Sequence, residues 1–374
     1  MREPKAICVL GMHRSGTSLL TRLVNIHGVH LGEDYELIPP LPDSNPEGFW
    51  ERIDVNTIHN ELLGRFKRTW DSVLPMPEGW LHSVETEAIR TRLLVIAQEK
   101  LCPNGFWAWK DPRTMLVLPM WQDILKELGA KVYYIFIFRN PLDVARSLAK
   151  RDSMTVQRGI SIWFNYNICA LKALRNIPVA FVAYDNLLLD CETEIGRCAD
   201  ELNIAWPVDD EAARSRTRAF VRPELRHSAS TAANLASQGA HEAVSELFGL
   251  LKSCAESEKQ WSSVAAEIVD DLYTKFISFS YFCSAELDLL WDCNNDKHMF
   301  NNIVARQNNI LEDQETTISS LQEEIIALEE KIREREQYIA KKEQEFQSVI
   351  NSASWKVTNP IRSLLDSISR RKFQ

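Results

Sequence analysis

Eight residues, Gly11-Met12-His13-Arg14-Ser15-Gly16-Thr17-Ser18, have the types and spacing needed to hold an anion. They follow an apolar run at 6–10 and precede a helical pattern at 19–24. A strand, a glycine-bracketed loop and a helix start let backbone N–H groups converge on a negative group. A loop that grips a nucleoside triphosphate reads GxxxxGK[ST], with its lysine on the β/γ-phosphates and its hydroxyl on magnesium. Here Thr17 takes the lysine position, and the cation is Arg14, inside the loop. The pattern predicts a phosphate-like ligand held without the triphosphate lysine. Two more cations fall at the ends of predicted strands: Lys110, followed by Asp111-Pro112-Arg113, and Arg139, followed by Asn140-Pro141. Ser147 comes eight residues after Arg139, two turns into the next helix. Cations from several strand ends, gathered on one sheet edge, suit a ligand with more than one negative charge.

Those positions require a parallel sheet. Strands are predicted at 6–10, 106–110, 131–138 and 178–184. The run at 131–138 is apolar on both faces, as a central parallel strand is. Helices are predicted at 52–66, 83–101, 115–128, 141–151 and 157–175, with one more ending near 202. Pro141 suits the first turn of its helix. Alternating strands and helices give an α/β fold, a parallel sheet flanked by helices, with ligands at the carboxyl ends of the strands. The expected organisation is an α/β domain at 1–240, a helical extension at 241–299, a coiled coil at 300–350 and a basic tail at 351–374. In the coil, Val304, Leu311, Ile318, Ile325, Ile332, Ile339 and Phe346 recur every seven residues. Leu321, Leu328 and Val349 fill intervening positions, and Gln307, Gln314, Arg335 and Lys342 interrupt that second row.

The 374 residues suffice for one large or two modest domains. A formal charge of −9 argues against nucleic-acid binding. Residues 312–345 alone carry eleven acidic and five basic side chains, while 351–374 carry five basic and one acidic. An anion site must therefore come from a few placed cations. The eight cysteines form no CxxC pair and read as reduced thiols. No histidine falls in HExxH spacing, so no metal is expected. With no signal peptide and no long apolar run, the expectation is a cytoplasmic protein. Six of the eleven tryptophans lie between Trp50 and Trp121. They read mostly as core, with one or two lining an acceptor cleft.

Taken together, these motifs resemble the sulfotransferase family over residues 5 to about 205. Gly11–Ser18 is similar to the family's GxxRSGTS loop, and Arg139 with Ser147 to its R-x8-S-like spacing. Lys110-Asp111-Pro112 resembles a KDP segment found in several branches. Asn45-Pro46-Glu47-Gly48-Phe49-Trp50-Glu51 resembles a segment of bacterial members that sulfate carbohydrates. The resemblance implies a P-loop-like sulfotransferase fold using 3′-phosphoadenosine 5′-phosphosulfate (PAPS) as co-substrate, without metal. Gly11, His13, Arg14, Ser15, Gly16, Thr17 and Ser18 would bind the 5′-phosphosulfate, and Arg139 and Ser147 the 3′-phosphate. The reaction implied is an in-line sulfuryl transfer to a hydroxyl or amine of a glycan or related acceptor. Arg14, Lys110 or Ser15 would stabilise charge on the leaving group. The general base is left open among several residues. Glu33 and Asp34, placed like the acidic pair of tyrosylprotein sulfotransferases, come first, ahead of Glu51, His59, Glu47 and His13. The family's Arg-Lys-Gly tripeptide is missing, and Arg222 and Arg226 are candidates for a third phosphate clamp.

The segment Ser352–Arg362 resembles an S-x-SW-[KR]-x-T-x-P-[IL]-R sequence at the ends of bacterial surface-polysaccharide enzymes. It implies a bacterial protein working beside a glycan assembly complex, its basic tail in peripheral contact with the inner membrane. The coiled coil implies an oligomer or a partner protein. Two other readings stand beside this one: a P-loop kinase using ATP, disfavoured by Thr17, and a non-catalytic scaffold of a polysaccharide complex.

Overall fold

A computed structural model describes residues 3–41, 45, 47–104, 106–221, 235, 240–256, 261 and 263–370. Four strands, β1 (Lys5–Leu10), β2 (Phe106–Trp109), β3 (Lys131–Phe138) and β4 (Val179–Ala183), form one parallel sheet in the order β2-β1-β3-β4. Cys8 pairs with Trp109 of β2, Leu10 with Phe136 of β3, and Ile137 with Val182 of β4. From β1 the chain turns toward β2, and from β3 it turns toward β4. The ends of β1 and β3 therefore flank the topological switch point, where open α/β sheets bind ligands.

Both sheet faces are covered, so apolar residues alternate between two cores. Cys8, Leu10, Phe136 and Phe138 point to one side. There they meet α2 (Ile53–Arg65), α3 (Val84–Asn104), α4 (Thr114–Glu127), α5 (Pro141–Asp152) and α6 (Val156–Ala173). Ile7, Val9, Ile135 and Ile137 point to the other, against α1 (Thr17–Ile26), α7 (Tyr184–Leu189), α8 (Cys191–Leu202) and α9 (Glu211–Phe220). The first core also receives α10 (Glu242–Glu256) and the beginning of α11 (Ser263–Asn351), followed by α12 (Ala353–Arg370). The fold is therefore the expected α/β class with a long C-terminal helix.

Element ends moved by three residues at most, and three features differ from expectation. The helix running to 202 is two helices: Asp190 ends α7 and caps α8, its carboxylate accepting from the Thr193 amide at 3.1 Å. Within α4, Val117 leaves helical geometry two residues before Pro119, whose ring cannot continue a regular helix. A further helix, α9, forms where none was predicted, its amide of Ala213 capped by Asp210 at 2.7 Å. Packing around α5 is close: a Cβ on Gly159 of α6 would lie 2.8 Å from the Ala145 Cα. That approach fixes the helix carrying Ser147.

Residues Met1–Asp292 and Cys293–Gln374 form two separate compact units. In the second, the apolar heptad residues of α11 from Leu311 to Val349 are exposed. Among the described residues, no helix is long and apolar enough to cross a membrane.

Candidate anion-binding and transfer site

The loop after β1 owes its shape to two residues with left-handed backbone, Arg14 (φ 66°) and Gly16 (φ 90°). Glycine is demanded at 16 for a second reason: a Cβ there would lie 2.3 Å from the Tyr184 ring. Gly16 caps α1, so the positive end of that helix opens where the loop curls. Asn140 caps α5 in turn, its side-chain oxygen accepting from the Leu142 amide at 2.9 Å, and Pro141 sits in the first turn as predicted.

Both helix starts open into one cavity of ≈ 830 Å³. The cavity brings together His13, Arg14, Gly16, Thr17, Ser18, Lys110, Arg139 and Ser147. Gly11 and Ser15 lie behind this wall and are buried. The Arg14 Nε donates to Ser147 Oγ at 2.8 Å, so the loop after β1 is joined to α5. Arg139 reaches the Arg14 carbonyl at 3.5 Å and lies over the Tyr184 ring, 4.6 Å from its centroid. Burial, then Arg151 and Arg139, pull the Arg14 guanidinium below its usual pKa. An anion beside it relieves that crowding. Six lysines and arginines line the cavity against three carboxylates, in a chain of net charge −9. The positive field is local, as sequence reading required.

The fit to a phosphate-bearing ligand can be judged from the loop's own atoms. Ser15 Oγ and His13 Nε2 are buried without a hydrogen-bond partner in the protein, which suits a cradle that completes its bonds with a ligand. His13 packs edge-on against Trp70 and Tyr166, with ring centroids 5.0 and 5.8 Å away. Burial foremost, then Arg113 and Arg151, hold its imidazole well below the usual histidine pKa.

On the far side of the loop, Lys110 Nζ donates to Glu51 Oε1 at 2.7 Å and lies 3.4 Å from Ser18 Oγ. Glu51 also accepts from Asn56 at 3.1 Å. The segment carrying Glu51 is tied to α1, because Ser18 Oγ donates to the Phe49 carbonyl at 3.2 Å and Asn45 donates to Ser18 at 3.3 Å. Glu47 and Glu51 both line the cavity.

Glu33 and Asp34 do not. They open an exposed 3-10 turn, Asp34–Glu36, closed by the Glu33 amide donating to Glu36 at 2.8 Å. Arg52 and Lys100 hold Glu36 from the other side at 2.7 and 2.5 Å, so this acidic cluster is a structural knot. His59 is also removed from the cavity. It is fully buried, with Nδ1 against Asp111 at 3.1 Å and Nε2 accepting from Trp121 at 2.8 Å. The tryptophans divide similarly: Trp107, Trp109 and Trp121 pack on one another in the core, while Trp50 lines the cavity. Arg222 and Arg226 lie outside the described residues.

Sequence reading overlooked Arg146, Lys150 and Arg151. With Asp143 and Ser147 they form one face of α5 turned to the cavity. The signal was present in their helical spacing: Arg146 and Lys150 come three and seven residues after Asp143, and Arg151 four after Ser147. Tyr184 and Phe220, which add aromatic walls, had no such signal.

No protein-family model and no curated protein matches this chain. Among solved structures, it is similar to the sulfotransferase domain from the Synechococcus PCC 7002 olefin synthase, at 16% identity and a TM-score of 0.36. That likeness covers 73% of this chain and 96% of the domain. It is also similar to the sulfotransferase domain from the curacin biosynthetic pathway, at 17% identity and a TM-score of 0.33, over 73% of this chain and 99% of that one. With identities and scores this low, the site is read from its own residues.

Proposed function

We propose that this protein is a sulfotransferase that moves a sulfuryl group from PAPS to a hydroxyl or amine of a glycan or related acceptor. The observation carrying this reading is the junction of Arg14, Ser147 and Arg139 across the β1/β3 switch point, above a loop whose lysine position is Thr17. It favours two separated anionic groups: a 5′-phosphosulfate in the loop and a 3′-phosphate at Arg139 and Ser147. The kinase reading would need a free carboxylate at a strand end. Asp111 is instead buried and paired with Arg113 at 3.0 Å and with His59.

PAPS bound here supplies a sulfuryl group. The acceptor oxygen forms its bond to sulfur as the bond from sulfur to the 5′-phosphate oxygen breaks, leaving 3′-phosphoadenosine 5′-phosphate. Arg14 and the loop amides stabilise the charge that develops on that oxygen. Lys110, between Ser18 and Glu51, holds the Glu51 side chain in place, and the Glu51 carboxylate takes the acceptor's proton. Glu51 replaces the Glu33/Asp34 pair in this role because it lines the cavity and they do not. A cavity of ≈ 830 Å³ is roomy enough for a nucleotide and a sugar. The segment around Asn45–Glu51 and the basic C-terminal end favour a bacterial surface glycan as acceptor, handled at the inner-membrane face.

The test is thermal stability with 3′-phosphoadenosine 5′-phosphate and, separately, with ATP and magnesium. At about a hundred times its dissociation constant, a ligand adds about 2.7 kcal/mol to the native state. Stabilisation by the bisphosphate, lost in Arg139→Ala, supports the donor site. Stabilisation by ATP alone overturns it in favour of a kinase. Glu51→Gln should retain bisphosphate binding and lose transfer to a glycan acceptor.

A further inference from the structure

The second unit carries a feature that sulfuryl transfer does not use. Along α11, every a position from 311 to 346 is apolar: Leu311, Ile318, Ile325, Ile332, Ile339 and Phe346. The d positions come in blocks: Gln314, then Leu321 and Leu328, then Arg335 and Lys342, then Val349. The apolar members are all between 49% and 60% exposed, on a helix of 89 residues. Such a stripe is stable when buried against another helix.

We propose that α11 pairs with the same helix of a second copy of this chain, as a parallel, in-register two-stranded coiled coil. Three observations select that occupant and orientation. In a parallel pair, a residues meet a residues and d meets d, so polar Gln314, Arg335 and Lys342 layers stay apart from an unbroken apolar a row. An antiparallel pair would set those side chains against Ile and Leu. Next, β-branched Ile318, Ile325 and Ile332 at a, with Leu321 and Leu328 at d, is the combination that favours two strands.

Charge supplies the third observation. The charged residues at the flanking e and g positions are Glu315, Glu324, Glu329, Glu336, Glu343 and Glu345, with Lys331 the lone cation. An antiparallel pair would face acidic e rim to acidic e rim, whereas in a parallel pair the flanking rows set acid against acid only at Glu324 and Glu329. A parallel pair places each d side chain beside the partner helix's following e residue. Arg335 then meets Glu336 of the second copy, Lys342 meets Glu343, and Lys331 meets Glu336 from the g position. In the single chain Lys342 turns to Glu345 instead, at 2.7 Å. The two core cations therefore neutralise the acidic rim only when a second copy is present.

The test uses the full chain in sedimentation equilibrium. The expected mass is twice the 43.0 kDa of one chain. Ile325→Asp with Leu328→Asp should return the single mass while leaving 3′-phosphoadenosine 5′-phosphate binding intact, which separates loss of pairing from loss of folding. Arg335→Glu with Lys342→Glu should raise the dimer dissociation constant at least about tenfold, and adding Glu336→Lys with Glu343→Lys should restore it. Val349→Cys, near one end of the coil, should give a covalent dimer under oxidation only if the helices run parallel. A monomeric wild-type chain, a trimer or tetramer, a dimer unaffected by the aspartates, or a Val349→Cys dimer that does not cross-link would each overturn the proposal.

Discussion

Two sets of charged residues leave the same edge of the sheet and end in different surroundings. After β1 and β3, Arg14 and Arg139 meet a hydroxyl, a carbonyl and an aromatic ring, and their positive charge stays turned to the cavity. After β2, Lys110, Asp111 and Arg113 are all buried, and each has a charged partner: Glu51 for Lys110, and Asp111 and Arg113 for one another. Written as sequence, both look like a strand ending in basic residues. The difference lies in where their side chains end. Where a carboxylate from another segment arrives, the charge becomes part of the architecture. Arg14 and Arg139 instead stand in the wall of the cavity, where a ligand can reach them.

The largest effect should come from breaking the neutralised segment. Asp111→Ala removes the nearest counter-charge of buried Arg113, leaving it Glu51 at 3.9 Å, and removes the partner that orients His59. Losing one half of a buried ion pair costs about 3–5 kcal/mol, to be read from urea unfolding without ligand. A loss below about 1 kcal/mol would mean the segment is not structural. Arg139→Ala reverses the pattern: it should cost less unliganded stability than Asp111→Ala and abolish the roughly 2.7 kcal/mol conferred by saturating bisphosphate. If both variants lost unliganded stability alike, the contrast between the two segments would be gone.

Gly16→Ala tests the loop between them. It places a Cβ at φ 90° and 2.3 Å from the Tyr184 ring, and overpacking of this kind costs about 1–3 kcal/mol. Tyr184→Ala in the same chain should recover the steric part and leave the backbone strain. Failure of that rescue, measured as a double-mutant cycle, would show that Tyr184 does not set the loop's position.

How much of this was legible in advance follows from the range of each interaction. The sheet could be read because strands such as 131–138 declare themselves by local composition. The loop could be read because its glycines and Arg14 are contiguous. Arg139 and Ser147 were legible as a spacing on one strand–helix unit. The Glu33/Asp34 pair misled because acidity is visible in sequence and solvent exposure is not: nothing local says that Glu36 is already held by Arg52, sixteen residues on, and by Lys100. His59 misled similarly, since its partners Asp111 and Trp121 come from two later segments. Phe220 reaches the cavity from a helix with only two buried residues, Ala213 and Thr217, too sparse a stripe to announce itself.

The smallest effect sharpens the comparison most, because it reads the open segment directly. Burial first, then Arg113 and Arg151, depress the His13 imidazole well below the usual value, so the native protein keeps it neutral. In the unfolded chain it takes up a proton below about pH 6.5. Unfolded protein then binds more protons than native, so stability should fall as pH drops below about 6.5, by at most about 1.4 kcal/mol per pH unit. Above that pH the residue is neutral in both states and contributes nothing. His27 is depressed as well, chiefly by burial, but lies outside the anion cavity. Bound bisphosphate adds negative charge beside His13 and none near His27, so it should flatten only the His13 share of the slope. Melting temperatures between about pH 5 and 7, with and without bisphosphate, distinguish the two. His13→Asn should lose the ligand-sensitive part of the slope, and His27→Asn should keep it. Equal behaviour of the two variants would place the anion somewhere other than the loop after β1.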